Sequence, residues 1–140
     1  MSLLTDTDLR RILCIQKEWP DKNKLHIFPF KEDCLTPVGY DARVGELYAS
    51  SMSAKMSTLG SGETITIRPG DTVLIETLED VGMPMNRTIS AFITSKVSKV
   101  SKGLSHISTN IDADWKGKLL IASVHPETPD FNCRRRPVLG

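Results

Sequence analysis

The chain has 140 residues, 39% hydrophobic and 25% charged, with a formal net charge of +1. That length fits one compact domain over residues 1–140, large enough for a single core. The near-neutral balance excludes the global field that would draw in a nucleic-acid polymer or an anionic membrane, and no apolar run reaches the roughly 18 residues of a membrane span.

The three cysteines, Cys14, Cys34 and Cys133, are odd in number and lack CxxC spacing, which argues against a disulfide framework. The opening "MSLLTDTDLRR" carries acid early and no long apolar stretch, so it does not read as a secretory signal. A cytoplasmic protein is the expectation. "LLTDTDLRRILCIQKEW" predicts a helix. Thr5 and Asp8 are spaced as a capping box with Asp in place of Glu, Leu9, Ile12 and Leu13 share one face, and Pro20 closes the segment.

"KLHIFPF" reads as a short strand, with Pro29 at its edge or end. Tyr48 to Glu63 is polar and rich in small residues, which predicts a long loop. Thr64 to Ile67 and Thr72 to Thr77 alternate as strands, and "RPGD" between them suits a type II turn with Gly70 at the position that needs φ > 0. "RTISAFITSKV" predicts a strand with Ile89, Ala91, Ile93 and Val97 to one side, and "GKLLIASVHP" a last strand ended by Pro126. The "CRRRP" run at Cys133 to Pro137 reads as a solvated tail. A mostly β domain, sandwich-like or barrel-like, with one N-terminal helix follows.

Three blocks stand in fixed order: "GYDARVG" (Gly39 to Gly45), "SKVSKVSKGLSH" (Ser95 to His106) and "NIDADWKGKLLI" (Asn110 to Ile121). With "TDTDLRRIL" before them and "IRPGDTVLIETLEDVGMP" between, they resemble the dCTP deaminase and dUTPase superfamily, most closely its deaminase branch. The resemblance runs from about Leu4 to about Val124. It implies a distorted jelly-roll of the dUTPase-like β-clip type, a homotrimer with active sites between subunits, deoxypyrimidine nucleoside triphosphate substrates, and Mg2+ bound through their phosphates.

The blocks also have readings of their own. Asp41 and Arg43 would share a face if "GYDARVG" were a strand, and a structural ion pair suits them. In "KVSKVSKGL" the resemblance implies a short helical turn facing the triphosphate, where free N–H groups and serine hydroxyls donate. Lys96 stands at the family's arginine, Ser98 at its second serine, and Gly103 and Leu104 at its closing pair. Val97 replaces the first serine and Ser101 a second arginine. Lys96, Lys99 and Lys102 can still collect anions as point charges.

In the third block Asp112 matches the aspartate that orients water and sugar in the dUTPase branch, a role suited to a carboxylate. Asn110 joins the substrate-binding set with Lys96, Ser98, Lys102 and Gly103. Asp114 reads as a turn residue with Trp115 packed behind it.

Three features depart from the pattern. Counting on from Trp115, the deaminase's catalytic glutamate falls at Ala122, and a methyl group cannot take a proton from water. The hairpin "LSHISTNI" is about two residues short. After Val124, "HPETPDFNCRRRPVLG" shows neither the family's Pro-Gly turn and further strand nor a glycine-rich tail, so a shortened C-terminus is expected. The histidines His26, His106 and His125 have no metal-ligand spacing with cysteines, and a lone His106 in the hairpin reads as structural. Three functions fit: a dCTP deaminase-like protein, a dUTP diphosphatase using Asp112, or a non-catalytic nucleotide-binding paralogue.

Overall fold

A computed structural model describes residues 2–50, 55–107, 109–125 and 131–134, with side chains through Ser123. In chain order these residues form helix α1 (Asp6–Ile12) and strands β1 (Leu13–Cys14), β2 (Leu25–Phe28), β3 (Leu35–Thr36), β4 (Gly39–Tyr40), β5 (Val44–Ser50), β6 (Ser57–Thr58), β7 (Thr64–Ile67), β8 (Asp71–Gly82) and β9 (Ala91–Phe92). Helical turn α2 (Val97–Val100) follows, then β10 (Ser105–His106), β11 (Asn110–Ile111), β12 (Lys116–His125) and β13 (Phe131–Arg134). The fold is mostly β with one helix at the N-terminus, of the dUTPase-like β-clip class. The chain divides into two compact units, one made of Met1–Ala42, Leu78–Ala91 and Asn110–Leu119, the other of Arg43–Thr77, Phe92–Thr109 and Leu120–Gly140.

In the first unit the α1 cap forms as its spacing predicts. The Asp8 carboxylate accepts from the Thr5 N–H at 3.0 Å and from the Thr5 hydroxyl at 3.1 Å. The helix ends at Ile12, well short of Pro20. Leu13 takes an extended conformation and starts β1, which pairs in parallel with β2 (Leu13↔Leu25, Cys14↔His26). Strand pairing outweighs the helical pattern there, because propensity yields to tertiary contacts. Leu9, Ile12 and Leu13 do share a half-buried face, packed on the core of Leu25, Ile27 and Met83.

Trp19 folds back over the sheet. It is 7% exposed, its Nε1 donates to the Lys24 carbonyl at 3.0 Å, and its ring stacks on His26 with centroids 5.5 Å apart. β2 runs antiparallel to the end of β8, with His26 opposite Gly82. A Cβ on Gly82 would meet the Trp19 ring at 2.6 Å, so only glycine lets the indole lie against the strand.

The second unit is built on the start of β8. Gly70, at φ 78°, makes the turn between β7 and β8, and the Asp71 N–H donates to the Arg68 carbonyl at 3.0 Å, as a type II turn requires. Leu59, Ile65, Ile67, Val73, Ile75 and Leu104 form the core, the alternate positions of β7 and β8 pointing inward. β5 crosses the start of β8 with an irregularity between Val44 and Tyr48. Gly45 sits in it, where a Cβ would strike the Thr77 carbonyl oxygen at 2.6 Å.

Four expectations are corrected. Residues 41–43 lie outside any strand, between β4 and β5, so the face shared by Asp41 and Arg43 does not exist. The Tyr48 to Glu63 loop is shorter than expected, since β5 continues to Ser50 and β6 pairs with it at Leu47↔Thr58; Ser51 to Ala54 lie outside the described residues. Val97 belongs to a helical turn and is 83% exposed, rather than ending a strand from Arg87. After β12 the chain does form another strand, β13, antiparallel to β7 from Phe131↔Ile67 to Arg134↔Thr64. That pairing satisfies the free edge of β7, and it takes the start of the "CRRRP" run into a strand; Arg135 to Pro137 and the Pro126 stop lie outside the described residues.

The cap carries a pH dependence. The Thr5 N–H and then the Thr5 hydroxyl hold the Asp8 carboxyl below its ordinary value, and hydrogen bonding to Arg10 does the same for Glu32. A carboxylate with a depressed folded pKa stabilises the fold above its unfolded value and loses that contribution as pH falls through the folded one. The melting temperature should therefore drop more between pH 6 and pH 3 in the native chain than in an Asp8→Asn, Glu32→Gln double variant, as read by thermal unfolding. Parallel curves would mean that neither interaction stabilises the folded state.

Candidate functional site

The basic block folds as a closed turn. Lys96 is extended at its entry, and the N–H groups of Val100 and Ser101 donate to the carbonyls of Lys96 and Val97 at 3.0 and 2.9 Å. Its exit is a Schellman motif. The Gly103 N–H donates to the Val100 carbonyl at 2.9 Å, and the Leu104 N–H reaches back to the Lys99 carbonyl at 3.1 Å. Gly103 takes φ 88°, a left-handed conformation that costs glycine least. Leu104 then plugs into the core of the second unit. The Gly-Leu pair thus fixes a turn whose other side chains, Lys96, Val97, Ser98, Lys99 and Lys102, are all exposed.

A cavity of about 130 Å³ opens beside this turn, lined in part by Lys96, Lys99, Ser95, His106, Ile121 and Ser123. His106 Nε2 meets the Ile93 carbonyl at 2.8 Å, and its Nδ1 meets the Ser95 hydroxyl. A carbonyl only accepts, so Nε2 carries the proton and the Nδ1 of a neutral ring accepts from Ser95. Both ring nitrogens are committed within the protein, which agrees with the structural reading of His106. Ser95, its partner, carried no signal in the sequence beyond standing next to Lys96.

Ala122 lies on β12 between two cavity-lining residues, Ile121 and Ser123. Successive residues of a strand point to opposite faces, so Ala122 faces away from that cavity. Its carbonyl accepts the Ile107 N–H at 3.1 Å. Leu120 shares the Ala122 face, and Ile107 and Leu120 are 59% and 52% exposed. The position of the expected glutamate thus has the apolar Ile107 opposite it and Leu120 two residues before it on the same face.

Asn110 and Asp112 fall in the first unit, whereas Lys96, Ser98, Lys102 and Gly103 fall in the second. Asp112 opens a turn in which its carbonyl accepts the Trp115 N–H at 3.0 Å, and its side chain is exposed. Asp114 sits within that turn, as expected, 3.6 Å from Arg87 in an exposed ion pair of small energetic weight. Trp115 anchors the turn through its carbonyl, which accepts the Met83 N–H at 2.8 Å, and its indole N–H donates to the Gly117 carbonyl at 3.1 Å.

A family model described as dCTP deaminase-like matches residues 13–136. The chain belongs to the dCTP deaminase-like family. Similar proteins include the dCTP deaminases of Thermococcus kodakarensis, 30% identical over 75% of this chain and 65% of that protein, and of Pyrococcus horikoshii, 30% identical over 74% and 64%. The dCTP deaminase of Saccharolobus solfataricus is 28% identical over 91% of this chain and 70% of its own length. The chain spans just under two-thirds of the length of the first two relatives. The match reaches past Arg134, so β13 is part of the family's region.

The Schellman exit generates a prediction. Gly103→Ala should destabilise the protein by about 1 kcal/mol, the cost of a side chain at a left-handed C′ position, as measured by denaturant unfolding. Leu104→Ala should cost more, about 2–5 kcal/mol, because it empties a core position.

Proposed function

We propose that the chain binds deoxypyrimidine nucleoside triphosphates through its basic turn and does not deaminate them. Membership of the dCTP deaminase-like family supports a deoxynucleotide ligand, and the cytoplasm is the compartment this reading assigns. Lys96, Ser98 and Lys102, displayed by the Gly103 turn, supply ammonium and hydroxyl donors for phosphate oxygens. The observation that carries the loss of deamination is the Ala122 surface. There Ala122, Ile107 and Leu120 present methyl groups, and none of these can accept a proton from water.

Magnesium belongs to this reading as a partner of the phosphates. Among the described residues no three His, Cys, Asp or Glu side chains gather into a metal-binding group, so the nucleotide and water would supply most of the oxygen ligands that the ion requires. The family's homotrimer is part of the same reading, and a solution mass of three chains would agree with it. No helix among the described residues is long and apolar enough to cross a membrane.

Calorimetry with dCTP and magnesium should show saturable binding, with no ammonia released from dCTP. Lys96→Gln should weaken that binding about tenfold, the loss expected for one charge-assisted contact. Ammonia release by the purified chain would overturn the proposal.

One observation favours a second reading. The Asp112 carboxylate is exposed and forms no ion pair among the described residues. On this reading Asp112 would orient water for a dUTP diphosphatase and Asn110 would contact the nucleotide. Pyrophosphate from dUTP, abolished by Asp112→Asn, would establish that reading.

A further inference from the structure

The first unit contains a larger cavity, of about 420 Å³, apart from the basic turn. Lys17, Lys22 and Lys116 line it. All three are exposed, and none is paired with a carboxylate among the described residues. The one acidic residue in the lining, Asp80, has Lys118 Nζ 3.8 Å away, and that lysine also donates to the Leu78 carbonyl at 2.6 Å. The carboxylate is thus partly neutralised from outside the cavity, and the three lysines leave a net positive rim.

Lys22 is held in place at both ends. Its carbonyl accepts the Met85 N–H at 2.7 Å, and its ammonium sits 4.6 Å from the centroid of the Trp19 ring. A cation–π contact of this kind restrains a long side chain that would otherwise sweep through solvent. The walls between the lysines are apolar and aromatic, formed by Trp19, Phe28 and Val81. Gly117, at φ 125°, borders the space, and a Cβ built there meets nothing within 4 Å.

We propose that this cavity binds a phosphorylated small molecule bearing a planar ring. Three unpaired ammonium groups around one concavity repel each other until an oxyanion joins them, and lysine recognises phosphate as a point charge without demanding a fixed fork. The volume falls in the range of small-ligand sites and exceeds what a bare phosphate fills. The aromatic wall takes up the rest with a ring. The cavity is concave and confined to one unit, which suits a small molecule rather than the extended backbone of a polymer.

The test uses the full chain carrying Trp115→Phe, so that Trp19 is its only tryptophan. Trp19 fluorescence is titrated with inorganic pyrophosphate and separately with ADP, a purine nucleotide outside the ligand class assigned to the basic turn. Both should change the emission saturably, ADP at about tenfold lower concentration. Combining Lys17→Gln, Lys22→Gln and Lys116→Gln should weaken both probes at least about tenfold. Lys31→Gln, an exposed lysine elsewhere, and Lys96→Gln in the basic turn should leave both titrations unchanged. No saturable response, or a response that survives the triple substitution, overturns the proposal. Equal affinity for the two probes overturns the ring. Loss of the response in Lys96→Gln places the anion at the basic turn and overturns this site while sparing the reading of that turn.

Discussion

Everything in this structure depends on the pleat of β8. Twelve residues run without a break from Asp71 to Gly82, and the odd-numbered ones from Asp71 to Glu79 are buried. Val73 and Ile75 enter the core of the second unit, while Glu79, fully buried, receives the Tyr40 hydroxyl at 3.2 Å in the first. A one-residue slip in pairing would turn that whole set to solvent. The register of β8 therefore fixes both where β5 crosses it and where Gly82 meets Trp19. At both places, Gly45 and Gly82, an added Cβ would lie 2.6 Å from a neighbouring atom.

The chain keeps the frame of the dCTP deaminase-like family. The frame survives in residues with steric jobs: Gly45 against the Thr77 carbonyl, Gly103 in its left-handed turn, Leu104 in the core and Trp115 anchoring its turn. The departures from the family pattern read in the sequence fall at other positions: Val97 and Ser101 are exposed on the basic turn, and Ala122 is half-buried on β12. On the reading proposed above, such a pattern keeps a turn suited to nucleotide phosphates and gives up deamination.

What was legible in the sequence had local causes. The Thr5–Asp8 cap, the Gly70 turn and the alternation of Thr64 to Ile67 rest on neighbours a few residues apart, and each formed as its spacing predicts. The three ordered blocks made the family readable even though each is weak alone. What stayed hidden depends on distant partners. α1 stops at Ile12 because Leu13 and Cys14 pair with residues twelve positions on, and β13 exists because β7 offers it an edge. The exposed turn at Val97 resembles a strand in pattern because valine fits either context, and only its surroundings decide. The lysine-rimmed cavity could not be read at all, since its lining comes from three separate stretches of chain. Asp112 and Ala122 could be placed by counting, but counting did not reveal that Ile107 and Leu120 are the neighbours of Ala122 on its face.

The Schellman exit also sets how the basic turn moves. Its last amide, that of Leu104, is tied to Lys99 and continues into a buried side chain, whereas the first amides, at Val97 and Ser98, have no partner within so short a helix. Amide hydrogens at the exit should then exchange with solvent only when the core itself opens, and those at the entry almost freely. The turn behaves as a latch hinged at Leu104. On the reading proposed above, an anion arriving at this turn would order its open end while Leu104 stays in the core.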